Sequence, residues 1–177
     1  LEFLSRVVLP ELDQMILDDL LGSYGEVQAH LRKTDGIVEK LYEELEATRR
    51  IDTVPGFATT LSVLVAVEIG EIDRFESAAH LQAYAGVIPT THSSGGRTYH
   101  GRITKAGNPW LRWAALEAVF LATQASLEIR GLYSRLARRK NPNVAKVAVA
   151  RRLLAIIYRL LKEKRDYFRD MNHPSVA

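Results

Sequence analysis

The sequence predicts a mostly α-helical protein. A long N-terminal amphipathic, coiled-coil-like helix is followed by a compact helical domain with a helix-hairpin-helix-like element and a Gly/Ser loop. Three observations lead there. Apolar residues recur three, four or seven positions apart from Leu12 to Leu45. Helix punctuation is explicit at Ser77, Gly70, Gly86 and Asn108-Pro109. No stretch has a convincing period-two alternation. A chain of 177 residues can bury one good core, so residues 1–50 read as a helical region suited to dimerisation and residues 51–177 as the helical domain.

Composition removes several function classes. Hydrophobic content of 47% with 25% charged residues is that of a soluble globular protein. The absence of cysteine excludes disulfides, thiolate metal sites and cysteine nucleophiles, and fits a reducing compartment. Leu1–Pro10 carries Glu2 and Arg6 and lacks the basic region of a signal peptide. The most apolar run, Leu61–Val67, is too short to span a bilayer, so no membrane role is indicated. The first residue is not methionine, and the chain reads as a piece of something longer. Charge is split: residues 1–90 hold 16 Asp/Glu against 7 Lys/Arg, and residues 91–177 hold 5 against 17. The second half is therefore the one suited to nucleic acid, although a solvated basic surface would look the same.

The elements follow in order. From Pro10 to about Thr48 the spacing predicts a helix, in which Gly22, Gly25 and Gly36 each cost about 1 kcal/mol and admit a break near Gly22–Gly25. Such a helix packs against a second subunit or within an intramolecular hairpin. Pro55-Gly56 then ends one helix, and an apolar run to Gly70 forms the next. That shape is a helix-hairpin-helix, whose turn aims backbone N–H groups at a phosphate, or else a buried hairpin that shapes the core. Ala58 stands where a nucleic-acid-binding hairpin has its second glycine. Ser77 caps a short helix that Gly86 stops, and His80 within it has no second ligand in register. Asn108 and Pro109 start a helix running to about Ile129, with a small-residue face from Ala114 to Ala125 and Gly131 as its stop. After a basic segment and a turn at Asn141-Pro142-Asn143, the last helix spans Val144 to about Phe168. It buries Val147, Ala150, Leu154, Ile157 and Leu161 and shows Arg151, Arg152 and Lys162 elsewhere.

The stretch between the two central helices, residues 90–108, is the chemical focus. From Thr90 to Trp110 it holds two adjacent serines, four glycines, three cations and no carboxylate. A loop of this kind meets an anion or simply turns. Ser94-Gly95-Gly96 offers a hydroxyl beside backbone N–H groups that approach a phosphate closely, while Arg97, Arg102 and Lys105 supply fixed positive charge. Arg112, in the first turn after Asn108, is placed to reach the same phosphate. A serine hydroxyl needs a base, and His92 and His100 bracket the loop as candidate assistants. The scattered histidines and carboxylates show no metal-ligand spacing.

Several of these residues, in one order, carry a resemblance. V-P-G-F at 54–57, A-Y-A-G-V-I-P at 83–89, H-S-S-G-G at 92–96, G-R-I-T-K-A-G-N at 101–108 and L-R at 111–112 resemble the C-terminal domain of insertion-sequence-110 family transposases. These are bacterial enzymes also described as bridge-RNA-guided serine recombinases. The resemblance is dense over residues 51–130. It implies an enzyme with an N-terminal RuvC-like domain binding Mg2+ through an acidic tetrad, a coiled-coil region, and a domain carrying a nucleophilic serine. The family motif puts that serine directly before glycine, which implies Ser94, with Ser93 as runner-up. It further implies DNA and a guide RNA as partners, a homo-oligomer through the N-terminal helix, and a bacterial cytoplasmic, nucleoid-associated setting. The RuvC-like part is missing from this chain, so the resemblance implies a fragment without recombination activity alone. A non-catalytic nucleic-acid-binding and oligomerisation module is the alternative.

Overall fold

Capping side chains start four of the helices in the computed structural model, which describes residues 3–94 and 97–167. Within it, Ser5 and residues 91–94 and 97–102 are described by backbone alone. The chain divides into two compact units, Leu1–Lys40 and Leu41–Ala177.

The first unit holds a 3-10 turn, Leu4–Arg6, and most of helix α1, Glu11–Glu44. The helix passes Gly22, Gly25 and Gly36 without a break, and a methyl group added at any of them would meet nothing within 4 Å. The break that the glycines admit is therefore absent. No residue of α1 is buried, and Leu12, Ile16, Leu20, Val27 and Leu31 are each at least half exposed. The helix stops at Glu44, short of the expected Thr48. Leu45 is extended (φ −94°, ψ 109°), and the Thr48 hydroxyl donates back to the carbonyls of Tyr42 (2.7 Å) and Leu45.

The second unit is built around its last helix. Its helices are α2 Glu46–Asp52, α3 Thr59–Ile69, α4 Ala78–Tyr84, α5 Pro109–Ala125, α6 Leu127–Arg139 and α7 Pro142–Glu163. Leu153, Leu154, Ile157 and Leu160 of α7 are fully buried where that helix packs against α2, α4, α5 and α6. Each leucine or isoleucine so buried stabilises the unit by about 1.5–3 kcal/mol. On α5 the small face behaves as its sequence indicates. Ala114, Ala115, Ala118 and Ala122 are fully buried, which lets the α2–α3 turn lie directly on the helix backbone. Gly56 (φ 91°) sits there, and a Cβ on it would collide with the Ala118 carbonyl and come within 2.8 Å of the Ala122 nitrogen.

Three boundaries differ from expectation. Helix α5 ends at Ala125 because Ser126 turns extended and caps a new helix, its Oγ accepting from the Ile129 N–H (3.4 Å). The Arg130 guanidinium closes the same junction by donating to the carbonyls of Thr123 and Gln124, both at 2.8 Å. Gly131 consequently lies inside α6 instead of ending α5. Helix α7 starts at Pro142, with Asn141 Oδ1 accepting from Val144 N–H (2.9 Å), and stops at Lys164 in the left-handed region (φ 50°). The third difference is a pair of strands, β1 Pro89–Ser94 and β2 Arg97–Ile103, where a Gly/Ser loop was expected. The two runs, with threonine in both and tyrosine and isoleucine in the second, pair antiparallel, as β-prone segments do.

Candidate functional site

The hairpin fixes the register of the residues singled out above. Ser94 pairs with Arg97, Ser93 with Thr98, His92 with Tyr99 and Thr91 with His100. Successive strand positions alternate between faces, and directly paired positions share one. Ser94 therefore shares a face with His92, Arg97 and Tyr99, while Ser93 shares the other with Thr98 and His100; a register shift between Pro89 and Thr91 interrupts the alternation before Arg102. Gly95 and Gly96 lie outside the described residues, as do the side chains of Ser93, Ser94, Arg97 and Arg102.

The base of the hairpin is held by a set of short-range bonds. The N–H groups of Thr104, Lys105 and Asn108 donate to the carbonyls of Ile88 (2.9 Å), Gly86 (3.2 Å) and Tyr84 (2.7 Å). Two glycines make that approach feasible. A Cβ on Gly86 (φ 67°) would lie 2.8 Å from the Ala106 carbonyl oxygen, and one on Gly107 (φ 131°) would collide with the Tyr84 carbonyl. Arg112 reaches back from α5 into this junction, where its Nη1 donates to the carbonyls of Ala85 (3.2 Å) and Lys105 (3.1 Å). That guanidinium nitrogen is committed to the backbone, so Arg112 ties the hairpin to the core instead of pointing freely at a phosphate.

Asn108 is the second fixed point. Its Oδ1 accepts from the N–H groups of Trp110 and Leu111, both at 2.9 Å, which caps α5. Its Nδ2 donates to the Glu68 carboxylate and to the Tyr84 hydroxyl (3.2 Å). Arg74 stacks its guanidinium 4.6 Å from the Tyr84 ring centroid and donates to the Glu68 carbonyl (3.3 Å). The Asn108 amide, followed by Arg74, holds the Tyr84 hydroxyl below the ordinary tyrosine range. Sequence reading found Asn108 as a cap but missed its side-chain partners, because Glu68 and Tyr84 lie 40 and 24 positions away.

The remaining cations separate into free and engaged groups. Lys105 is exposed, with φ 52°, at the end of the hairpin. Lys162 binds Asp73 at 2.6 Å, a bond that holds the Asp73 carboxyl below its usual range. Arg152 lies 3.8 Å from Glu128, and the Arg151 Nε is buried without a hydrogen-bond partner among the described residues. Of the three cations expected on the outer face of the last helix, two thus face carboxylates of the protein itself. At Pro55-Gly56 the glycine faces α5, which is the core-shaping alternative. The shallow groove beside it, about 470 Å³, is lined by Gly56, Phe57, Ala58, Leu121, Gln124 and Ala125 and has no cation to receive a phosphate. His80 is exposed and sits 3.8 Å from Glu76. Among the described residues no three His, Asp or Glu side chains gather to hold a metal, and no helix is long and apolar enough to cross a membrane.

Comparison with known proteins bears on this unit directly. Residues 48–134, from α2 to the middle of α6, match the family described as Transposase IS116/IS110/IS902 family. The chain is similar to the insertion element IS110 uncharacterized 43.6 kDa protein of Streptomyces coelicolor, 27% identical over 154 residues. That alignment covers 86% of this chain and 38% of the relative. It is also 27% identical over 154 residues to the transposase for insertion sequence element IS1111A of Coxiella burnetii, covering 85% and 40%. A pilin gene-inverting protein of Moraxella bovis is 29% identical over 118 residues, covering 65% and 37%. The chain spans about two fifths of the length of the first two relatives.

Proposed function

We propose that this chain, whose residues 48–134 match the Transposase IS116/IS110/IS902 family, is the serine-bearing part of a longer DNA transposase. The family match supports DNA transposition and recombination as the activity of that longer protein. The finer reading is that Ser94 attacks a DNA phosphodiester. The Oγ–P bond forms as the P–O bond to one deoxyribose breaks, the hydroxyl proton passes to a base, and the leaving oxygen takes up a proton. A second strand's hydroxyl then reverses the step, releasing the serine without ATP. Charge on the non-bridging oxygens needs cations or N–H donors, which Arg97 and Lys105 supply in this reading.

The observation that carries it is the hairpin inside the matched segment, with Ser94 in register with Arg97 and its base pinned by Arg112 and Asn108. Each serine shares a face with one candidate base, Ser94 with His92 and Ser93 with His100, so the choice of Ser94 rests on its place directly before glycine. The same reading makes DNA and a guide RNA the partners. It assigns Mg2+ to an acidic tetrad in a separate RuvC-like domain, and no step above is routed through a metal on this chain. Residues 1–50 serve oligomerisation: Leu20, Tyr24, Val27 and Leu31 of α1 are exposed at coiled-coil spacing.

The test is the covalent adduct in the full-length enzyme. Ser94→Ala abolishes denaturation-resistant protein–DNA complexes, and Ser93→Ala keeps them. The reverse result reassigns the nucleophile, and adducts surviving in both variants remove serine chemistry from the hairpin. A non-catalytic nucleic-acid-binding module is the second reading, favoured by the charge of the last two helices.

A further inference from the structure

Between Glu128 and Glu163 the sequence contains ten Lys/Arg and no Asp or Glu. Half of these cations have internal roles or partial cover. Arg130 caps α5, Arg152 faces Glu128, Lys162 holds Asp73, and Arg151 and Arg159 are half-buried. Arg135, Arg138, Arg139, Lys140 and Lys146 are the rest. All five are exposed and make no ion pair or side-chain hydrogen bond among the described residues. Arg135, Arg138 and Arg139 stand three and four positions apart on α6, the spacing at which like charges repel. Favourable interaction with the C-terminal helix dipole accounts for Arg138 and Arg139 in the last turn, but not for Arg135 or Lys146.

The same exposed arc carries small residues. Gly131 lies one turn before Arg135 and Ser134 one turn before Arg138. A methyl group on Gly131 would meet nothing within 4 Å, and its φ is not in the left-handed region, so neither packing nor backbone geometry requires a glycine. The arc thus combines unneutralised, self-repelling charge with a surface flat enough for close approach. Both features suit a polyanion with closely spaced charges, and duplex DNA presents one phosphate per about 1.7 Å of axis.

We infer that the outer face of α6 and the α6–α7 turn, through Arg135, Arg138, Arg139 and Lys140, is a DNA-backbone contact surface separate from the serine hairpin. It extends the transposase reading to a second surface but does not depend on Ser94 being the nucleophile. The test uses the whole chain and a fluorescein-labelled 30-base-pair mixed-sequence DNA duplex, titrated by anisotropy from about 50 to 200 mM NaCl, a range over which phosphate contacts are strongly screened.

The R135Q/R138Q/R139Q/K140Q variant is expected to weaken binding about tenfold or more at the lowest salt. It should also flatten the log Kd against log salt slope by about 3–4, at roughly 0.9 per phosphate contact. R32Q/K33Q on α1 should leave the slope unchanged. Gly131→Glu keeps the question open to test if the fourfold variant misfolds: it should raise the melting temperature and still weaken binding. Four outcomes overturn the inference. They are no binding by the wild-type chain, an unchanged slope in the fourfold variant, loss of affinity for a matched RNA duplex but not for DNA, and loss of self-association with DNA affinity intact.

Discussion

Replacing Arg112 with alanine probes the junction that holds the hairpin. Its Nη1 makes two bonds, to the partly buried Ala85 carbonyl at 3.2 Å and to the more exposed Lys105 carbonyl at 3.1 Å. A hydrogen bond from a charged donor contributes about 1.5–3 kcal/mol when sheltered, and an exposed one about 0.5–1.5 kcal/mol. Their sum predicts a loss of about 2–4.5 kcal/mol in urea unfolding, read as a shifted midpoint at constant m-value. Hydrogen exchange gives the local readout. The amides of Thr104, Lys105 and Asn108, bonded to Ile88, Gly86 and Tyr84, should exchange faster in the variant than the amides of α7 do. Arg112→Lys restores charge without the planar fork and should recover only part of the loss. A variant within 0.5 kcal/mol of wild type, with unchanged exchange at those three amides, would refute the structural role and return Arg112 to ligand binding.

Other expectations follow from the same geometry. Gly56→Ala should destabilise by about 3 kcal/mol or more, since φ 91° strains an alanine and its methyl meets the Ala118 carbonyl, whereas Gly131→Ala should stabilise by about 0.5–1 kcal/mol; thermal melts of both distinguish the sites. Asn108→Ala removes a cap, costing about 0.5–2 kcal/mol, and should move the Tyr84 titration back toward the ordinary tyrosine value in an ultraviolet pH titration. Because the folded tyrosine ionises more readily than the unfolded one, its added stability is present above about pH 10 and is lost as pH falls through the lowered folded value. That alkaline increment should shrink with the loss of Asn108, leaving the part that Arg74 supplies. Asp73→Asn should remove acid sensitivity linked to Lys162: the folded Asp73 pKa is depressed, so the pair stabilises above the unfolded value near 4 and is lost as pH falls through the folded one.

How legible the molecule was depends on the range of the signal. Caps act within a turn, and Ser77, Asn108-Pro109 and Gly70 mark helix ends that the structure reproduces. Ser126 is equally local, yet its helix start was hidden by apolar and basic residues that continue a helical period across the junction. The hairpin was legible in principle. In the sequence, Gly95-Gly96 is a turn signal between runs that hold threonine, tyrosine and isoleucine, but polar residues on both faces leave no alternation to detect. The candidate-site cations show the opposite limit. Sequence gives Arg112 and Lys162 as charges, and only folding brings them to Lys105, Ala85 and Asp73. Gly56 gave a correct turn and an open choice of partner, which α5 resolves in favour of the core.

The most direct measurement is the site of covalent attachment after the full-length enzyme is trapped on DNA. Nuclease trimming followed by trypsin would release residues 75–97 as one peptide, since no Lys or Arg interrupts it, and that peptide contains both hairpin serines and Ser77. Fragment-ion mass spectrometry then reads which residue carries the nucleotide phosphate. The account predicts the added mass on Ser94. Attachment at Ser93, or on any peptide outside residues 75–97, would contradict it.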